Sequence, residues 1–96
     1  MTDSTLTIRR ASETDGPSLR ELAALDSSRA PSGEVLVAQV ESELWAAVEV
    51  ETGAAIADPF RPSGDLVELL RFRAQGIRGE TRGARNAFAR LLPRAA

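Results

Sequence analysis

The 96-residue sequence predicts a single α+β domain with the element order β-α-β-β-β-α. Three observations carry that reading. "LTIRRA" (6–11) alternates apolar and polar side chains. "EVLVAQV" (34–40) and "LWAAVEVE" (44–51) are two β-prone runs only three residues apart. Two stretches, about 17–26 and 65–75, repeat apolar residues near the helical period.

Leu6 to Ala11 forms the first predicted strand. The turn-rich Ser12 to Pro17 then leads into a helix reaching about Asp26, with Leu19, Leu22, Ala23 and Leu25 on its apolar face. Two N-caps fit it: Asp15, with Pro17 in the first turn, or Ser18, with Glu21 three residues on. "SSRAPSG" (27–33) is a loop broken by Pro31 and Gly33. The three-residue connection Glu41-Ser42-Glu43 demands an antiparallel hairpin. Its second strand should present Leu44, Ala46, Val48 and Val50 on one face, and Trp45, Ala47 and Glu49 on the other. After the Thr52-Gly53 turn, Ala54 to Ala57 forms a short third strand of the meander. Pro59 and Pro62 end it, and a second helix runs from about Asp65 to Gln75 with Gly76 as its stop. Asp65 and Glu68 have the spacing of a capping box. Residues 78–96 read as an Arg-rich tail, either disordered or with a short helix around Ala84 to Leu92.

Composition excludes several kinds of chemistry. There is no Cys, so neither a disulfide framework nor a thiolate site is available. There is no His, which removes the commonest general base and metal ligand. Ser27 and Ser28 therefore have no imidazole to activate them. The absence of an apolar run near ~18 residues, and of a secretory-type N-terminus, leads us to expect a cytoplasmic protein. All twelve basic residues are Arg, a bias that fits a GC-rich bacterial genome.

The net charge of −2 conceals an asymmetry. Residues 1–68 carry thirteen acids and five Arg, net −8, whereas residues 69–96 carry one acid and seven Arg, net +6. The acidic part argues against a nucleic-acid footprint over the whole domain. In the tail, Arg82, Arg85, Arg90 and Arg94 with Phe88, Leu91 and Leu92 fit either a solvated segment or a basic amphipathic helix. Phe88 alone supplies aromatic interleaving, so there is no strong nucleic-acid signal. Glu41, Glu43, Glu49 and Glu51 could form an acid–base or hard-metal pair, but fit the solvated face of a sheet better. Trp45 is either packed under a helix or part of an interface.

The order of elements, together with "TIRRA", "SETDG", "LVAQV", "LWAAVEV" and "IADPF", resembles the first half of the GNAT acetyltransferase family over roughly residues 6–77. That resemblance implies a loop of pattern Arg/Gln-x-x-Gly-x-Gly/Ala at the second helix, whose amides hold the pyrophosphate of acetyl-coenzyme A. Arg61 and Gly64 match its first and fourth positions and are the implied cofactor-binding residues. The sixth position is Leu66 instead of Gly or Ala, Pro62 removes one donor, and Asp65 brings a carboxylate towards the phosphates. A second glycine-bearing string, Arg73 to Gly79, follows the helix and lacks the strand–loop–helix context.

The family's remaining strands and helix, which complete the cofactor cleft where its fourth and fifth strands splay, do not fit within residues 78–96. The Tyr that serves the family as general acid has no counterpart, because the chain contains no Tyr. The expectation is therefore a half domain, residues 1–77, acting as a small non-catalytic binding or assembly module without a cofactor. Its partner surface would be the sheet edge Ala54–Ala57, used for a homodimer or another protein. The alternative is a minimal acetyl-coenzyme A-dependent N-acetyltransferase that completes its cleft by dimerisation, with an acid such as Glu49 as base.

Overall fold

The computed structural model describes residues 5–91, with side-chain surroundings over residues 5–79. Its elements are β1 (Leu6–Arg10), a 3-10 turn (Glu13–Asp15), α1 (Gly16–Leu25), β2 (Val35–Val40), β3 (Glu43–Glu49), β4 (Ala55–Ala57) and α2 (Gly64–Leu91). The α+β class and the antiparallel meander follow the sequence reading. The four strands form one antiparallel sheet in chain order, β1-β2-β3-β4. Among the described residues no helix is long and apolar enough to cross a membrane.

The period-2 geometry of the strands divides the core in two. Val35, Val37, Ala47 and Ile56 meet Leu19, Leu22 and Ala23 of α1 on one face. Leu36, Ala38, Ala46, Val48 and Val50 meet Leu70 and Ala74 of α2 on the other. This explains the continuous apolar run in β2, whose two faces are both covered.

The register of the hairpin departs from the sequence reading. Ala38 pairs with Ala46, but Gln39 pairs with Leu44, leaving Trp45 as the extra residue of a bulge. A one-residue insertion exchanges the faces beyond it. Leu44 accordingly packs with the α1-side cluster, away from Ala46, Val48 and Val50. The connection itself is two residues, Glu41 and Ser42, with Glu41 in the left-handed region at φ 57°.

The second helix also departs. It does not stop at Gly76 but continues through Gly76 and Gly79 to Leu91, 28 residues in all. A glycine stop requires left-handed φ, and Gly76 does not adopt it. Residues beyond it are anchored instead: Ile77 packs against the α2-side core and Arg78 Nη1 donates to the Val50 carbonyl at 2.7 Å. Those contacts offset the ~1 kcal/mol that a helical glycine costs. The helical backbone of α2 thus extends over residues 78–91. Residues 92–96 lie outside the described residues.

Candidate functional site

The loop between β4 and α2 is built around Asp58. Its Oδ1 accepts the Phe60 amide at 2.9 Å, closing a turn over Pro59. Its carbonyl accepts the Arg61 amide at 3.2 Å and the Ser63 hydroxyl at 3.1 Å. The helix begins at Gly64, and its first i→i+4 bond runs from the Val67 amide to the Ser63 carbonyl, 3.0 Å. Ser63 is therefore the N-cap residue, with its hydroxyl turned back into the loop.

One expectation for this loop is corrected. Asp65 is not the cap. It stands exposed in the first turn and makes no side-chain hydrogen bond among the described residues, though its charge still favours the helix dipole. Leu66, where the family pattern has Gly or Ala, packs onto the α2-side core.

Arg61 and Gly64 share one loop, but only Gly64 is open. No atom lies within 4 Å of where a Cβ on Gly64 would stand. The Arg61 guanidinium is held on three sides. It pairs with Glu43 from the start of β3, reaches Asp58 Oδ2 with Nε at 3.5 Å, and lies 5.0 Å from the centroid of the Trp45 ring. The bulge places Trp45 there. Its indole N–H is buried without a hydrogen-bond partner.

The carboxylates Glu43 and Asp58 belong to a cleft of about 340 Å³ that α1, the hairpin turn and the β4–α2 loop enclose. Leu22, Leu25 and Leu44 contribute apolar surface, and Glu21, Glu43, Asp58 and Arg61 contribute charge. Leu25 is 44% exposed. On the opposite face, Ile8, Leu36, Phe72 and Ile77 line a second hollow beside α2.

Glu49 does not lie on a solvated face. It is buried at 6% exposure, and its two oxygens accept the Ser32 amide at 2.9 Å and the Thr52 hydroxyl at 2.6 Å. The Thr52 hydroxyl, then the Ser32 amide, hold its carboxyl below the usual glutamate range. It fastens the 28–33 loop to the end of β3, and a carboxylate so stabilised is a poor general base. Glu51 lies exposed in the following turn, so the two do not form a pair. Among the described residues no group of three or more carboxylates is placed to hold a metal ion.

The edge at Ala54–Ala57 is partly guarded. Asp58 N–H bonds to the Trp45 carbonyl and Glu49 N–H to the Ala54 carbonyl. Ala57 and Ala55 therefore sit in non-hydrogen-bonded pairs, with their own amides directed away from β3. Asp26 Oδ2, at the C-terminal end of α1, accepts the Ala57 amide at 3.3 Å. The sequence reading missed this role for Asp26. Only the position of a carboxylate at the end of a predicted helix hinted at it.

Comparison with protein-family models, with characterised proteins and with solved structures finds no match. The functional reading therefore rests on the geometry.

Proposed function

We propose that the chain is a non-catalytic binding or assembly module built on an acetyltransferase-like half-fold. The observation that carries this reading is the engagement of Arg61. The one cation of the loop is paired with Glu43 and Asp58, and Asp65 adds a further carboxylate in the next turn of chain. Two carboxylates pair with the one guanidinium, and a third follows in the first turn of α2. A pyrophosphate brought to Gly64 would meet net negative charge, at on the order of 4 kcal/mol per pair at ~4 Å and an effective dielectric of ~20 before screening. The hydrogen-bonded state of Glu49 adds support, because it leaves the alternative enzyme without its suggested base.

Calorimetric titration with acetyl-coenzyme A tests this directly. The expected result is no heat and no thermal shift at millimolar ligand. Micromolar binding that disappears in Arg61→Ala would establish the enzyme reading instead. Arg61→Ala is itself expected to lower stability by about 1 kcal/mol, since its ion pairs are half exposed and its contact with Trp45 is modest.

The partner surface in this reading includes the β4 edge. A partner strand gains the outward groups of Ala55 and Ala57 but must first displace Asp26. Asp26→Ala is expected to increase self-association over wild type at equal concentration, in a way that salt does not reverse. Sedimentation velocity checks it, and unchanged profiles would rule out edge pairing.

A further inference from the structure

The apolar stripe that seats α2 on the sheet does not end with the sheet. Leu70, Ala74 and Ile77 are spaced 4 and 3 residues apart, and the same spacing continues through Thr81, Ala84, Phe88 and Leu91. On one continuous helix these positions fall on one face. Arg78 already bonds to the Val50 carbonyl, just past the end of β3. The next thirteen residues carry the helix roughly 20 Å further, at ~1.5 Å per residue. An amphipathic extension of that length, with glycines at 79 and 83, is marginal without a partner.

The extension is basic: Arg82, Arg85 and Arg90 stand against Glu80 alone. Two such helices would repel each other, which argues against a helix pair between copies. The complementary surface is the cleft beside α1. Three carboxylates, Glu21, Glu43 and Asp58, face one Arg there, and exposed Leu25 with Leu44 and Leu22 forms its apolar floor. A volume of about 340 Å³ accepts an aromatic side chain.

The cleft and the start of the extension lie at opposite ends of β3. That cleft lies beside Glu43, Asp58 and Arg61, where β3 and α2 begin, whereas the extension departs past Val50 at the far end of β3. We infer that the C-terminal half of α2, residues 79–91, docks into the acidic cleft of a second copy of this chain, with Phe88 as its apolar anchor. This rests on the reading of the chain as an assembly module and names its partner. Opposite charges on the two surfaces steer the encounter and make the complex weaken with salt.

The test is the oligomeric state of the full chain by light scattering at about 50 and 500 mM salt, on either side of a Debye length near ~10 Å. Wild type is expected to assemble at low salt and dissociate at high salt. Joint substitution Arg82→Glu, Arg85→Glu, Arg90→Glu should weaken assembly at least tenfold, as should Glu21→Arg on the exposed rim of α1. A chain carrying both sets of changes should recover assembly. Circular dichroism checks that each variant folds, and Glu21→Arg tests the cleft even if the helix variants do not.

A wild-type chain that stays monomeric at ~100 μM and low salt, or assembly indifferent to both sets, overturns the inference. A monomer that binds RNA or anionic vesicles through the same Arg residues also overturns it. Acetyl-coenzyme A binding alongside intact, salt-sensitive assembly would overturn only the non-catalytic reading. A monomer that ignores the thioester would overturn only the docking.

Discussion

Leu70→Ala is expected to lower the unfolding free energy by about 3–5 kcal/mol, measured by urea denaturation. Leu70 has no exposed surface and is the largest of the fully buried side chains. It shares its cluster with Ala38, Ala46 and Ala74, which have no rotamers with which to fill the space it would vacate, and with the branched Leu36, Val48 and Val50, which fill it only in part. A transfer term and a cavity term therefore both apply. A domain of this size has a total stability of about 5–10 kcal/mol, so the loss takes a large share of it. Leu70→Met, which keeps the volume, should cost under ~1.5 kcal/mol. Phe72→Ala, two residues away at 73% exposure, should change stability by less than about 0.5 kcal/mol. Equal effects of Leu70→Ala and Phe72→Ala would show that α2 does not seat on the sheet through this stripe.

Asp15→Asn is expected to have the second largest effect, about 2–4 kcal/mol at neutral pH. Arg9 bonds both oxygens of Asp15, at 2.7 and 2.8 Å, while its Nε donates to Gln39 at 3.0 Å. The Ser12 amide donates to the same carboxylate at 2.7 Å. One ion pair thus ties β1 and β2 to the entrance of α1. Asp15 is 8% exposed, so removing its charge strands a guanidinium against it. The Arg9 side chain is 36% exposed, and solvent there keeps the loss below that of a fully buried pair.

The same pair sets a pH dependence. The Arg9 hydrogen bonds, and then the Ser12 amide, hold the Asp15 carboxyl far below the ordinary aspartate range. Because the folded state depresses this pKa, the stabilisation is complete above the unfolded value of about 3.9 and is lost as pH falls below it. Urea midpoints should therefore drop for wild type below about pH 4 and stay flatter for Asp15→Asn. Parallel curves for the two proteins would show that the pair contributes nothing in the folded state.

Much of the fold was legible because its signals are local. Strand alternation, a short hairpin connection and two helical stripes depend only on neighbours along the chain. The departures come from contacts that no local window contains. Gly76 has the features of a helix stop, yet Ile77 and Arg78 find partners on the sheet and the helix runs on. Leu44 alternates correctly with Ala46, yet the bulge at Trp45 moves it to the other face.

The candidate site was legible only as a location. Strand, Asp-Pro, Arg-Pro-Ser-Gly and helix marked where to look. That Ser63 and not Asp65 caps the helix depends on how the loop folds around Asp58. That Glu49 is a clasp depends on Ser32, seventeen residues earlier in the chain.

Sequence alone determined the order of the elements, the approximate extent of the strands and of α1, and the separation of acidic and basic segments. These follow from composition and periodicity, which act within a few residues. Tertiary structure alone decided the partners of the charges: Arg61 with Glu43, Arg9 with Asp15, Asp26 with the Ala57 amide. The physical reason is range. Hydrogen bonds and ion pairs act over a few ångströms of space, and only the packed fold brings partners 6, 18 and 31 residues apart in the chain that close.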